Sequence, residues 1–227
     1  MDVLEEITTL TGEIDLISEY SHLKLEDVLF WFTIVAVSVS AASGVLVAGK
    51  KQFDLFGIII VALVTALGGG SVRDMLLTSE VFWIKNQLYL IVSLCAGIVT
   101  FFLARIYSFP LSLFLIPDAI GLATYSIAGT MSAMSIGAPW LIASFMGVVT
   151  GVAGGILRDM ICSETPIVFK STLYATLSWF GGLVFIGLIR LGVDAEISAA
   201  GAGAFIFLSR LAAIKWNLSL PVFNAKD

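Results

Sequence analysis

Apolar residues come in blocks long enough to cross a lipid layer, at about 28–48, 55–77, 87–106, 111–134, 139–161, 172–191 and 197–214. A hydrocarbon core of about 30 Å needs about 20 such residues in a helix, so the pattern predicts seven transmembrane helices. Ahead of them, Val3, Ile7, Leu10, Ile14 and Ile17 share one helical face with acidic residues opposite. That pattern predicts an amphipathic surface helix over residues 1–20, with a solvated acidic tail of partial helicity as the equal alternative.

Two stretches inside the apolar blocks are nearly the same phrase, VTALGGGSVRDMLL at 64–77 and VTGVAGGILRDMIC at 149–162. They belong to a longer repeat with a constant offset of 85 residues, in which Gly44 matches Gly129, Thr65 matches Thr150, and Gly69-Gly70 matches Gly154-Gly155. Arg73-Asp74-Met75 matches Arg158-Asp159-Met160, Tyr89 matches Tyr174, and Ser93 matches Ser178. Each copy holds three spans, an odd number, so the second should cross the membrane in the opposite sense, related to the first by a pseudo-two-fold axis in the membrane plane. The expected organisation is a lead-in at 1–24, a first three-helix repeat at 25–110, a second, inverted one at 111–195, and a seventh helix with its tail at 196–227.

Composition supports the membrane reading: 59% of the 227 residues are hydrophobic and 13% charged, and mean hydropathy is +1.02. A soluble domain has about a quarter of its residues charged. With the N-terminus outside, eight of the twelve lysines and arginines (Lys50, Lys51, Arg105, Arg158, Lys170, Arg210, Lys215, Lys226) fall inside and four (Lys24, Arg73, Lys85, Arg190) outside. This bias predicts a cytoplasmic C-terminus. The opening MDVLEEITTL lacks the basic region of a signal peptide, so the first span is expected to persist as a mature helix. Net charge of −5 leaves no basic footprint for nucleic acid. Cys95 and Cys162 read as free thiols in packing roles, and His22, the single histidine, lies outside the spans. A histidine metal site or a Ser-His relay therefore has no material, and an enzyme is not expected.

The glycine clusters and the Arg-Asp pairs carry the candidate chemistry. Gly68, Gly69 and Gly70, and Gly154 and Gly155, each weaken a helix by about 1 kcal/mol relative to Ala, which makes local unwinding cheap. Unwound backbone at membrane depth is tolerated only where it is buried in protein or lines a wet cavity, and there its carbonyls can replace ion hydration. The alternative is that the glycines allow close helix packing. An arginine or aspartate at a helix centre costs about 2.5–3.5 kcal/mol even on lenient scales, so Arg73-Asp74 and Arg158-Asp159 should pair and face the bundle interior. Otherwise the arginines snorkel to the headgroups. Asp118 follows Pro117, which is expected to kink the fourth span and set a carboxylate beside the kink; capping a helix N-terminus is the equal alternative. Hydroxyls recur on the presumed inner faces at Ser38, Ser40, Ser43, Thr65, Thr124, Ser126, Thr130, Ser132 and Thr150. Most of these should bond back to their own helices and a minority line a path.

The segments FGIIIVALVTALGGGSVRDMLL, PDAIGLATYSIAGT and GVVTGVAGGILRDMICSETPIVF, with LYAT after the last, resemble the prokaryotic TRIC family of trimeric intracellular cation channels, whose members also carry the label glycine-transporter domain. The likeness covers roughly residues 28–213. It implies an all-α membrane protein of seven transmembrane helices, two inverted three-helix repeats plus a seventh helix, assembled as a homotrimer in a prokaryotic inner membrane. Each subunit would hold its own potassium-permeable path, shaped by kinks at Gly68 to Gly70 and at Gly154 and Gly155. Family members often carry a lysine in the fourth span just after a Gly-Thr pair; here Met131 and Ser132 stand there, so a gating role for that lysine has no carrier.

The expectation is a passive cation channel, potassium favoured, with no cofactor beyond the permeant ion and membrane lipid. Thr65, Thr150, Ser132 and the two glycine breaks would line or gate the path, and Arg73 and Arg158 would be structural or gating charges. Asp74, Asp118 and Asp159 would set the sign of the field. A carrier for a small zwitterion such as glycine, and a scaffold in which the glycines only pack, remain the alternatives.

Overall fold

The computed structural model describes residues 2–107, 114–169 and 173–220, with side chains described from residue 25 onward. It is all-helical but for isolated turns, with eight α-helices among the described residues: α1 (Asp2–Ala48), α2 (Leu55–Leu76), α3 (Phe82–Lys85), α4 (Leu88–Ile106), α5 (Leu115–Ser135), α6 (Trp140–Ile161), α7 (Ala175–Arg190) and α8 (Ala195–Lys215). Every predicted span has a helical counterpart, and α3 is an additional single turn. Residues 25–51, 55–76, 88–106, 140–161 and 195–215 make five helices long and apolar enough to cross a membrane by length and composition. α5 is not among them, and α7 is apolar but only 16 residues long. The amphipathic face expected over residues 1–20 lies outside the described side chains.

α1, α2, α5 and α6 pack on one another at the centre, α4 flanks α1 and α2, and α7 and α8 flank α5. Two apolar cores result. One joins α1, α2 and α4 around Ala36, Val45, Val61, Ala62 and Tyr89; the other joins α5 to α8 around Leu122, Ile127, Met131, Phe185 and Ile206. Outside them α4 turns Ile91, Ile98, Val99 and Phe102 outward, as a lipid-facing helix must.

The repeat is visible in how the helices end. α2 and α6 both terminate in a residue with positive φ, Thr78 at 52° and Ser163 at 51°. In both, the amide two residues after the cap bonds the carbonyl of the aspartate, Ser79 to Asp74 at 2.9 Å and Glu164 to Asp159 at 2.8 Å. Such left-handed endings satisfy carbonyls that a helix terminus leaves open.

The expected fractures are absent: α2 runs as helix through Gly68 to Gly70, and α6 through Gly154 and Gly155. The glycines serve close packing instead. A Cβ on Gly69 would fall on the Thr150 carbonyl oxygen, and one on Gly154 would fall on the Thr65 carbonyl oxygen, so the two helices cross backbone to backbone. The energies explain the choice: a helical glycine costs about 1 kcal/mol, whereas each backbone group opened in hydrocarbon costs several. The kink expected at Pro117 is also absent as a break. Pro117 lies in the first turn of α5, where an amide has no helical partner to lose.

Gly69→Ala and Gly154→Ala should therefore each destabilise the purified protein by about 1–3 kcal/mol through overpacking, seen as a lower melting temperature in detergent. Gly187→Ala, whose methyl would meet nothing within 4 Å, should leave the melting temperature unchanged or raise it.

Candidate functional site

The crossing of α2 and α6 sets two threonines back to back. The Thr65 hydroxyl donates to the Val61 carbonyl and the Thr150 hydroxyl to the Met146 carbonyl, each at 2.6 Å, the same bond in both repeats. Both border a narrow cavity enclosed by α1, α2, α5 and α6 and lined by Ser40, Ser43, Asp118, Gly121, Tyr125, Gly154, Gly155, Arg158 and Tyr174. At about 10 Å³ it has room for about one water. Tyr125 closes it toward α2 by donating its hydroxyl to the Ala66 carbonyl.

Arg158 is the hub of this cavity, 1% exposed. Its Nε donates to Asp159 Oδ1 at 2.8 Å, and its Nη1 donates to Asp118 Oδ1 at 2.7 Å and to the Ser43 hydroxyl at 2.8 Å. The second oxygen of Asp159 accepts the Ile167 amide at 2.9 Å, which pins the chain after α6. Nη2 of Arg158 and Oδ2 of Asp118 have no hydrogen-bond partner among the described residues. Buried polar atoms of this kind are ordinarily satisfied by water or an ion.

Below the hub lies a larger chamber of about 250 Å³, lined by Val47, Lys50, Lys51, Phe114, Asp159, Glu164, Thr165 and Ile167. Lys51 pairs with Glu164 at 2.6 Å, and Lys50 and Arg158 lie over the Phe114 ring at 4.6 and 5.8 Å. Asp159 lines this vestibule while Arg158 and Asp118 line the cavity, so the arginine and its two carboxylates stand between the two spaces.

The other Arg-Asp pair is built the same way but stands outside the cavity. Arg73 Nε donates to Asp74 Oδ1 at 2.7 Å, and Asp74 Oδ2 accepts the Phe82 amide at 2.9 Å, fixing α3 to α2. Gly70 makes room for the Phe82 ring and Gly68 for the Leu157 side chain. Of the residues singled out from sequence, Ser40, Ser43, Thr65, Thr150, Gly154, Gly155, Asp118 and Arg158 come together at the cavity, with Asp159 at the vestibule. Ser132 does not join them; it is half-buried near the C-terminal end of α5. Both arginines are buried rather than snorkelling. Asp118 spends its carboxylate on Arg158, not on a helix cap.

Sequence reasoning missed three contributors. Tyr125 closes the cavity, Tyr174 forms part of its wall, and Arg210 of α8 lies 4.6 Å over the Tyr174 ring while donating to the Leu173 carbonyl at 3.0 Å. The signal for Arg210 was its charge inside the last apolar block; that for Tyr174 was its match to Tyr89.

A family model described as glycine transporter matches the chain twice, at residues 30–105 and 115–190, an offset of 85 residues again. The chain belongs to this family. An inner membrane protein of Escherichia coli strain K12, YadS of the UPF0126 group, is 39% identical over 198 residues, covering 86% of this chain and 96% of that one. The solved TRIC trimeric intracellular cation channel orthologue from Rhodobacter sphaeroides is 33% identical with a TM-score of 0.80, covering 84% of this chain and 99% of that one. A structure solved to explain conductance through TRIC cation channels matches at 27% identity and a TM-score of 0.77, covering 86% and 97%. These matches mark a channel family and not an enzyme.

Truncating Asp118 to Ala should destabilise the fold by about 3–5 kcal/mol, because it strips a buried arginine of one of its two carboxylates. Lys51→Ala breaks a half-exposed pair and should cost under about 1 kcal/mol; thermal unfolding of the two variants side by side reads the contrast.

Proposed function

We propose that the protein is a passive monovalent cation channel, potassium favoured, whose path runs within one subunit from the Lys50–Glu164 vestibule past Arg158 and Asp118 into the hydroxyl-lined cavity. The observation that carries this reading is the buried cluster in which Arg158 holds Asp118 at the cavity and Asp159 at the vestibule, in a chain whose fold matches TRIC cation channels at 33% identity. Hydroxyls of Ser40, Ser43, Thr65 and Thr150 are the ligands that would replace part of an ion's hydration, in place of the open backbone expected from the glycines. Asp118 and Asp159 offset the Arg158 charge so that the cluster does not repel cations. Widening requires the Tyr125 hydroxyl to leave the Ala66 carbonyl and Arg158 to shift.

The same reading includes seven spans in two inverted repeats, the boundaries 25–110 and 111–195, a homotrimer in the cell membrane, and a cytoplasmic C-terminus. It is supported by the reciprocal contacts of Gly69 with Thr150 and Gly154 with Thr65, by the double family match, and by the excess of lysine and arginine on one side. A glycine carrier is not favoured, because the fold matches solved TRIC cation channels; the continuity of α2 and α6 removes the broken helices that both readings called for.

Potassium efflux from proteoliposomes tests the proposal. Wild type should conduct without a coupled solute, and Asp118→Asn, which leaves Arg158 less compensated, should lower flux per folded subunit by roughly tenfold, about 1.4 kcal/mol of barrier. Thr150→Val, which keeps the volume and removes one hydroxyl, should lower it less. Saturable glycine uptake with no potassium current would overturn the reading.

A further inference from the structure

α1 is a single helix of 47 residues, whose long apolar block covers only about 28–48. The 23 residues Asp2–Lys24 precede that block and lengthen the helix by about 35 Å at 1.5 Å per residue. They lie outside the stretch matched by the family, which begins at residue 30.

In that extension the apolar positions Val3, Ile7, Leu10, Ile14 and Ile17 follow one another at steps of four, three, four and three residues. This is the heptad spacing of a coiled-coil seam, with Ile7 and Ile14 at a and Val3, Leu10 and Ile17 at d. Residues 1–20 carry Asp2, Glu5, Glu6, Glu13, Asp15 and Glu19 and no lysine or arginine. A helix so acidic is repelled by an anionic membrane surface, where interfacial helices carry basic faces. The seam therefore needs a protein partner rather than lipid.

The charges also choose the partner's direction. Glu6 and Glu13 fall at g, whereas the e positions are Leu4, Thr11 and Ser18. In a parallel pair of copies, g of one helix meets e of the next, so each glutamate meets a neutral residue; an antiparallel pair would set glutamate against glutamate. Copies anchored in one membrane through the same span can only present this extension in parallel. Ser21 and Lys24 occupy the next a and d positions, so the apolar seam ends about one turn before the span. That leaves the helices free to separate where α1 enters its own bundle between α2, α4 and α5.

We propose that residues 3–17 of neighbouring copies of this chain join as a short parallel coiled coil standing on the membrane-embedded assembly. Tethering raises the local concentration of the extensions to the millimolar range, so a seam too short to hold free peptides together can hold these. The inference rests on the multi-copy assembly proposed above.

Single cysteines at Ile7, Ile14 and Leu10, and at the outward positions Thr8 and Asp15, placed in the full chain with Cys95 and Cys162 replaced by alanine, test it by oxidation in native membranes. Seam positions should give roughly tenfold more disulfide-linked dimer than Thr8→Cys or Asp15→Cys. Equal cross-linking at all five, or none at the seam, overturns the coiled coil. Particle size in detergent separates the two ideas: a trimer lacking seam cross-links overturns the coil alone, and a monomer overturns the assembly and the coil together.

Discussion

The close crossing of α2 and α6 is the contact on which the rest of the fold depends. Gly69 lies against the Thr150 carbonyl and Gly154 against the Thr65 carbonyl, a separation no side chain would allow. The crossing brings the two repeats together at the centre and sets both threonines on the same cavity. It also carries the Arg-Asp pairs, one turn further on, to opposite ends of that contact. Hydrocarbon enforces the arrangement, because it offers nothing to an opened backbone and leaves van der Waals approach as the main gain from putting two helices together.

Charge is distributed over this frame unevenly. Each repeat places an arginine beside an aspartate that also accepts a downstream amide, at Phe82 in the first and Ile167 in the second. The second arginine alone has a further carboxylate, Asp118, and a serine, Ser43. The repeat offset of 85 puts Thr33 where Asp118 would be matched, and its hydroxyl donates to the Leu29 carbonyl of its own helix. It likewise puts Ala128 opposite Ser43. So one pair has become a local brace for α3, while the other has become the polar centre of the subunit. α8, which has no counterpart in the repeat, adds Arg210 to the same side.

Much of the fold was legible along the chain. Apart from the start of α1, which runs back to Asp2, the helix ends fall within a few residues of the apolar windows, because a membrane requires continuous runs of one chemistry and the runs end where polar residues begin. The repeat and the burial of the Arg-Asp pairs were legible too, since an unpaired charge in those blocks has nowhere inexpensive to go. The role of the glycines was not. GGG and GG lower helix propensity and also remove bulk, and the sequence states both properties at once. Which one the protein uses depends on whether another helix comes close enough to fill the space.

The sequence by itself therefore determined the helices, their doubling, and which charges must be buried in pairs, because these follow from local composition and from the cost of exposing polar groups to lipid. Only the tertiary structure decided that α2 and α6 stay unbroken, that Asp118 reaches across to Arg158, that Ser132 stands aside, and that Tyr125, Tyr174 and Arg210 gather at the centre. Those outcomes depend on which face of one helix meets which face of another, a relation between residues as much as 115 positions apart that no local pattern encodes.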